Sequence, residues 1–238
     1  MIFRNYFLSA LTKIDFATII SLISEQSLTA GETISEPGQP VPYVYFPSTT
    51  VLSVMTVMTN GDRVESSTIG RESATGLINA LSGEPATSLV MAQIAGSAMK
   101  MPAKALRELS LSSPRLMALT AQHIQATMAQ VEQSVACNAV HHVDARLARW
   151  LLQTADRVGG PIVPLTQEYL AVMLGVQRTT VSGSAAALRD LNLIRYSRGR
   201  VELLDRPALE RKACECYAVC RQIFDDLLPD TDPAAVVA

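Results

Sequence analysis

Between Leu165 and Asp205 the chain reads LTQEYLAVMLGVQRTTVSGSAAALRDLNLIRYSRGRVELLD, and the residues able to do chemistry there are hydrogen-bond donors. Arg178 carries the planar fork that pairs with guanine in a major groove, and Gln177, Thr179, Thr180 and Ser182 stand beside it. Thr166 and Gln167 lie just upstream. Arg195, Arg198 and Arg200 cluster around Gly199, at a turn from which guanidinium groups reach phosphates. The chemistry is recognition of duplex DNA, with base edges read from the start of a helix and phosphates held at a basic turn.

Such residues need two helices and a hairpin to position them. Thr166 is suited to N-cap a first helix, with Gln167 and Glu168 in its first turn. Ala171 is small where two helices cross closely, and Gly175 suits a left-handed turn that a Cβ disfavours. Val181, six residues on, faces inward from the second helix. Any helix pair can carry an alanine and a glycine at its turn. The hairpin that follows is the more specific feature, with strands near residues 194–196 and 200–203 around Ser197-Arg198-Gly199. A helix pair with this hairpin is a winged helix-turn-helix, which places its second helix in the major groove.

At 238 residues the chain holds two modest domains, and a 48% apolar fraction supports real cores. No apolar run approaches the roughly 20 residues of a membrane span. The opening MIFRNYFLSALTKIDFATIISLI is interrupted by Asp15 and reads as an amphipathic helix pair, so a cytoplasmic location is expected. Net charge is −2, yet residues 143–205 carry eight arginines against six acids. That surplus is small, so DNA affinity must come from a local patch and from dimer symmetry.

From about Ser27 to Pro102 the pattern is β. Glu36-Pro37-Gly38 marks a turn, and segments 51–59 and 63–69 flank the hairpin signal Asn60-Gly61-Asp62. Segments 88–94 and 98–101 are two further strands separated by Ala95-Gly96-Ser97. Short strands with regular turns suggest a closed double-sheet roll. Ser113 caps a long helix with Pro114 in its first turn, running to about Val140. Met117, Ile124 and Val131 recur every seven residues, with Thr120, Thr127 and Ser134 between them, a coiled-coil-like seam for a parallel partner. His141 and His142 then read as surface residues at a hinge. A last helix is expected from Asp205-Arg206-Pro207 to about Leu228, followed by a frayed tail.

The fold class is α+β: a roll with N-terminal helices over residues 1–112, a dimerisation helix and hinge over 113–142, a winged helix-turn-helix over 143–205, and a C-terminal helix and tail over 206–238. No catalytic residue and no metal ligand is expected. The cysteines are Cys137, Cys214, Cys216 and Cys220. Cys216 and Cys220 are one helical turn apart with Cys214 nearby, but no histidine is near in sequence, and they read as small buried thiols. An enzymatic cupin would need histidines inside the roll. None lies between Ser27 and Pro102. A partner-binding protein with a weakened DNA helix is the alternative, because Gly183 stands inside that helix.

Roll, long helix and winged helix in this order resemble the cyclic-AMP receptor / fumarate-nitrate regulator (Crp/Fnr) family of bacterial transcription factors. The specific parts are LTQEYLAVMLGVQRTTVS, LRDLNLI and RGRVELLDRPALE. The resemblance implies a homodimer on a two-fold-symmetric operator, an effector-binding roll and contact with RNA polymerase. It also marks departures. A cyclic-nucleotide cassette has a Gly-Glu-Leu-like turn and then an Arg-Ser/Thr pair. Here Gly70-Arg71-Glu72 approximates the first, and Thr87-Ser88 stands where the pair belongs. Gln130 and Val131 occupy the long-helix positions at which nucleotide-binding members offer hydroxyls. An unpaired phosphate in a roll is costly, so an effector other than cyclic AMP is expected, its identity unknown. Gly70, Arg71, Glu72, Thr87, Ser88 and Gln130 are the candidate effector residues.

Overall fold

A computed structural model describes residues 5–197 and 199–228. The chain forms two compact units. The first holds the chain up to Val54, then Thr68–Ala129 and the residues from Ile223; the second holds Met55–Ser67 and Gln130–Gln222.

The first unit opens with the expected helix pair, α1 (Tyr6–Ser9) and α2 (Lys13–Ile19). Asn5 caps α1 by accepting from the Leu8 N–H at 3.3 Å, and Thr12 caps α2 by accepting from Asp15 at 3.1 Å. Seven strands follow: β1 (Ser24–Leu28), β2 (Thr33–Ser35), β3 (Tyr43–Pro47), β4 (Val51–Val57), β5 (Arg63–Ile69), β6 (Leu89–Ile94) and β7 (Gly96–Pro102). A short helix, α3 (Leu77–Ser82), lies between β5 and β6. The strands form two sheets, β1-β7-β3 and β2-β6-β4-β5. At the expected hairpin the Met58 N–H donates to Asp62 O at 2.8 Å, with Gly61 left-handed at φ 88°.

One break was misplaced by the sequence pattern. Of Ala95-Gly96-Ser97, only Ala95 lies between strands, because Gly96 already begins β7. A Cβ on Gly96 would stand 2.5 Å from Thr50 N and 2.7 Å from Thr49 C. Close passage of another backbone, not a turn, requires that glycine.

After α4 (Ala103–Ser112), α5 runs from Pro114 to Val140, and Ser113 Oγ accepts from the Leu116 N–H at 3.2 Å, as expected of its cap. Phe7, Phe46, Met101, Leu106 and Leu116 make the main core of this unit. His123 of α5 is buried with them, 4.9 Å from the Phe7 ring and with Nδ1 3.2 Å from Ser73 Oγ. Burial drives its pKa down to about 3. A histidine lowered in the fold leaves the unfolded chain the better proton acceptor below its ordinary value near 6.5. Stability is therefore full above about pH 6.5 and falls as the pH drops towards 3, by about 2 kcal/mol at pH 5. Urea titrations at pH 7 and pH 5 should show that loss, and His123→Phe should remove it. An equal loss in the variant would assign the effect to other groups.

On α5 the buried positions are Leu116, Thr120, His123 and Ala126 in the first unit, and Gln130, Ser134 and Cys137 in the second. Thr120 and Ser134, expected on the partner seam, are thus turned into the chain's own core. Met117, Ile124 and Val131 are half-buried, while Met128 and Val135 are exposed.

In the second unit, α6 (Val143–Val158) is followed by β8 (Ile162–Val163), α7 (Gln167–Leu174), α8 (Arg178–Asp190), β9 (Ile194–Ser197), β10 (Arg200–Leu203), α9 (Arg206–Lys212) and α10 (Cys216–Leu227). The small sheet has the order β8-β10-β9. Leu147, Leu151, Leu170, Val181, Leu188 and Val201 are buried at its core. Trp150 Nε1 donates to Glu65 Oε1 at 3.1 Å, so the β4–β5 turn region packs in this unit. The single C-terminal helix expected from the sequence is two helices. The chain turns extended at Ala213 (φ −67°, ψ 152°) although no glycine or proline marks the break. The tail after Leu228 lies outside the described residues.

Candidate nucleic-acid interface

Thr166 accepts from the Tyr169 N–H at 3.4 Å and starts α7 as its N-cap. Gly175 ends α7 at φ 61°, and a Cβ there would meet nothing within 4 Å. Its left-handed backbone is the reason for glycine. The Val176 N–H closes the turn onto Ala171 O at 3.1 Å. Val181 is fully buried between the helices, as its spacing from Gly175 implies.

That packing leaves the start of α8 outward. Gln177, Arg178, Thr179 and Thr180 are all exposed, and Gln177 stands at the N-cap without a side-chain cap bond. Gln167 and Ser182 are half-buried, and the Ser182 hydroxyl donates to Gln167 Oε1 at 3.0 Å, linking the two helices. Arg178 Nη1 pairs with Glu168 Oε1 at 2.9 Å, both side chains being well exposed. This carboxylate partner is one that the sequence pattern did not identify. Glu168 lies on α7, ten residues before Arg178, so only the folded helix pair brings the two together.

The wing is the β9–β10 hairpin, in which Val201 pairs with Tyr196 and Glu202 with Arg195. Arg195 Nη1 bonds Glu202 Oε2 across the strands at 2.9 Å, which makes it a brace of the wing. Arg200 is exposed on β10. Arg198 lies outside the described residues. Tyr196 OH donates to Leu165 O at 3.3 Å and ties the wing to the residue before the α7 cap. A Cβ on Gly183 of α8 would meet nothing within 4 Å, so no neighbour among the described residues requires glycine there.

Of the candidate effector residues, Gly70 and Glu72 are bonded to each other. Gly70 N donates to Glu72 Oε1 at 3.0 Å, and the Arg71 guanidinium sits 5.8 Å over the Tyr6 ring. Thr87 is exposed and Ser88 half-buried. Gln130 is buried, and its Oε1 accepts from Arg157 at 3.1 Å, a partner not foreseen from sequence.

Residues 25–113 match the cyclic nucleotide-binding domain, and residues 145–212 match the Crp-like helix-turn-helix domain. The chain thus joins a cyclic nucleotide-binding domain to a Crp-like helix-turn-helix domain, the domain order of Crp/Fnr transcription regulators. It is a Crp/Fnr-like, DNA-binding regulator of transcription, and the proteins it is similar to are regulators rather than enzymes. Its fold is that of several solved regulators. A CRP-family transcriptional regulator of Thermus thermophilus is 24% identical, with a TM-score of 0.67 over 79% of this chain and 96% of its own. FixK2 of Bradyrhizobium japonicum is 18% identical, with a TM-score of 0.71 over 81% and 98%. The c-di-GMP-responsive regulator CLP of Xanthomonas campestris is 12% identical, with a TM-score of 0.66 over 82% and 100%. No curated protein matches the sequence. No helix among the described residues is long and apolar enough to cross a membrane.

All four cysteines are buried, as expected, but their grouping and the setting of His141 were not foreseen. Cys214 and Cys216 do not gather with Cys220. Cys137 and His141 of the distant α5 end join them instead. His141 is half-buried against Cys216, not a free hinge residue, while His142 is exposed. The bond between Cys214 and Cys137 holds the Cys137 thiol down to about 5 and pushes the Cys214 thiol up.

Proposed function

We propose that this regulator acts in the cytoplasm as a homodimer on a two-fold-symmetric operator, with Arg178 reading a base and the wing arginines Arg198 and Arg200 holding phosphates. The observation that carries the reading is the start of α8. There Gln177, Arg178, Thr179 and Thr180 stand exposed together, above a buried Val181 that fixes the helix. A docked recognition helix presents such a row of donors to base edges. Thr166 caps α7, Gln167 and Ser182 bridge α7 to α8, and the exposed Thr166 meets a phosphate in this reading. Contact with RNA polymerase belongs to the same reading, as the way a Crp/Fnr dimer influences transcription.

The roll takes an effector other than cyclic AMP. A cyclic phosphate needs a cation in a low-dielectric site. None lies in Pro85–Ser88, and Arg71 is stacked on Tyr6. The Gln130 carboxamide oxygen, at the expected base position, already accepts from Arg157. Selection from random duplexes with the full chain and no added nucleotide should return a two-fold-symmetric site, retarded in a gel shift. Calorimetry with cyclic AMP should show no binding. A selection without symmetry, or without enrichment, would remove the dimeric reading. Micromolar cyclic AMP binding that tightens the operator complex would remove the effector reading.

A further inference from the structure

We propose that Cys137, His141, Cys214 and Cys216 form a mononuclear zinc site that fastens the last turn of α5 to the connection between α9 and α10. The ligand atoms of all four residues lie within 4.8 Å of one another. Cys137 Sγ is 3.5 Å from Cys214 Sγ, and Cys216 Sγ is 3.5 Å from His141 Nδ1. With metal–sulfur bonds of about 2.3 Å and metal–nitrogen bonds of about 2.0 Å, the vertices of a tetrahedron are separated by roughly 3.5–3.8 Å. A two-iron cluster would spread its ligand pairs further, so the compactness selects a single ion. Three thiolates and an imidazole are a soft set suited to zinc.

The surroundings fit a thiolate-bound cation. Gln133 Nε2 donates to Cys216 Sγ at 3.0 Å, a bond that favours the thiolate. The carboxylate of Glu215 lies 3.1 Å from His141 Nε2, orienting the ring with Nδ1 turned to the sulfurs. Three thiolates around Zn²⁺ leave one negative charge. Arg146 and Arg149 of α6 are buried in its electrostatic reach, and the Nε of each is buried without a hydrogen-bond partner among the described residues. Two buried guanidinium groups near apolar cysteines are costly; beside an anionic metal centre they are compensated. The extended backbone at Ala213 allows the site to form, since it turns Cys214 and Cys216 back towards α5. On binding, every ligand coordinates deprotonated, any remaining thiol or imidazolium proton leaving to solvent.

The test uses the full chain purified without chelator. Plasma mass spectrometry should find one zinc per chain. Cobalt(II) added to the stripped protein should give sulfur-to-cobalt charge transfer and the intense visible bands of a tetrahedral thiolate site. C137S, C214S and C216S should each lose the zinc, and C220S should keep it, because Cys220 stands outside the group. Should a serine variant fail to fold by circular dichroism, the parent's cobalt spectrum decides alone. Absence of metal with four titratable thiols would overturn the proposal. So would a Cys137–Cys214 disulfide in peptide maps, or zinc retained in folded C214S and C216S.

Discussion

Replacing Met128 and Val135 together with glutamate should convert the regulator from dimer to monomer. In light scattering the mass should fall from twice 25.7 kDa to 25.7 kDa. The row Met117, Ile124 and Val131 is half-buried by the protomer itself, and Ile124 packs on its core. Ala121, Met128 and Val135 lie four residues after each of these and are exposed. Alternating steps of four and three make 117, 121, 124, 128, 131 and 135 a heptad seam, which in the proposed dimer a second helix covers by knobs-into-holes packing. Met128 and Val135 are 62% and 66% exposed, so their substitution spares the protomer's own fold. In a parallel pair, glutamates at those positions meet their symmetry mates and bury like charges. Monomers also lose the effective concentration that links two half-sites, so operator affinity should fall by about 100-fold or more. A folded double variant that keeps the dimer mass would place the interface elsewhere.

The face of α5 that meets the protomer was not legible in a seven-residue repeat. Two rows, one after each hydrophobic position by three residues and one by four, both read as small or apolar. Only the packing of Leu116, Thr120 and His123 decides between them. By contrast, the helix-turn-helix was legible almost to the residue. Its signals act locally: a hydroxyl that caps at Thr166, a left-handed glycine at Gly175, an inward valine at Val181. The wing follows for the same reason, from Gly199 between two β-prone runs. What stayed hidden depends on distance along the chain. Cys137 and Cys214 are 77 residues apart, and their meeting requires a helix break that no glycine or proline announces. The partner of Gln130 stayed hidden as well, since nothing in the sequence shows that Arg157 reaches its side chain. Short elements such as β2 and α3 carry too few residues for a period to show.

Arg178→Ala should weaken the selected operator by about 10- to 100-fold, corresponding to ~1–3 kcal/mol, and relax preference at one base pair in each half-site. In the structure Arg178 is held by Glu168 at 2.9 Å, with side chains 63% and 64% exposed. An exposed pair of this kind contributes only ~0–1 kcal/mol. A bidentate contact to guanine contributes more, so DNA should draw the guanidinium away from Glu168 at small cost. Glu168→Gln should accordingly leave operator affinity near the parent's or raise it slightly. Arg178→Lys should restore charge but not the planar fork, and recover little of the base preference. Arg200→Ala should behave differently, weakening operator and random duplex alike and lowering the slope of log affinity against log salt by about 0.9 for each phosphate no longer neutralised. Gel shifts over a salt series, with the selected site and with every base substituted at each position, separate these outcomes. If Arg178→Ala kept the parent's full discrimination while Arg200→Ala lost it, base reading would belong to the wing, and α8 would serve only to position the protein on the backbone.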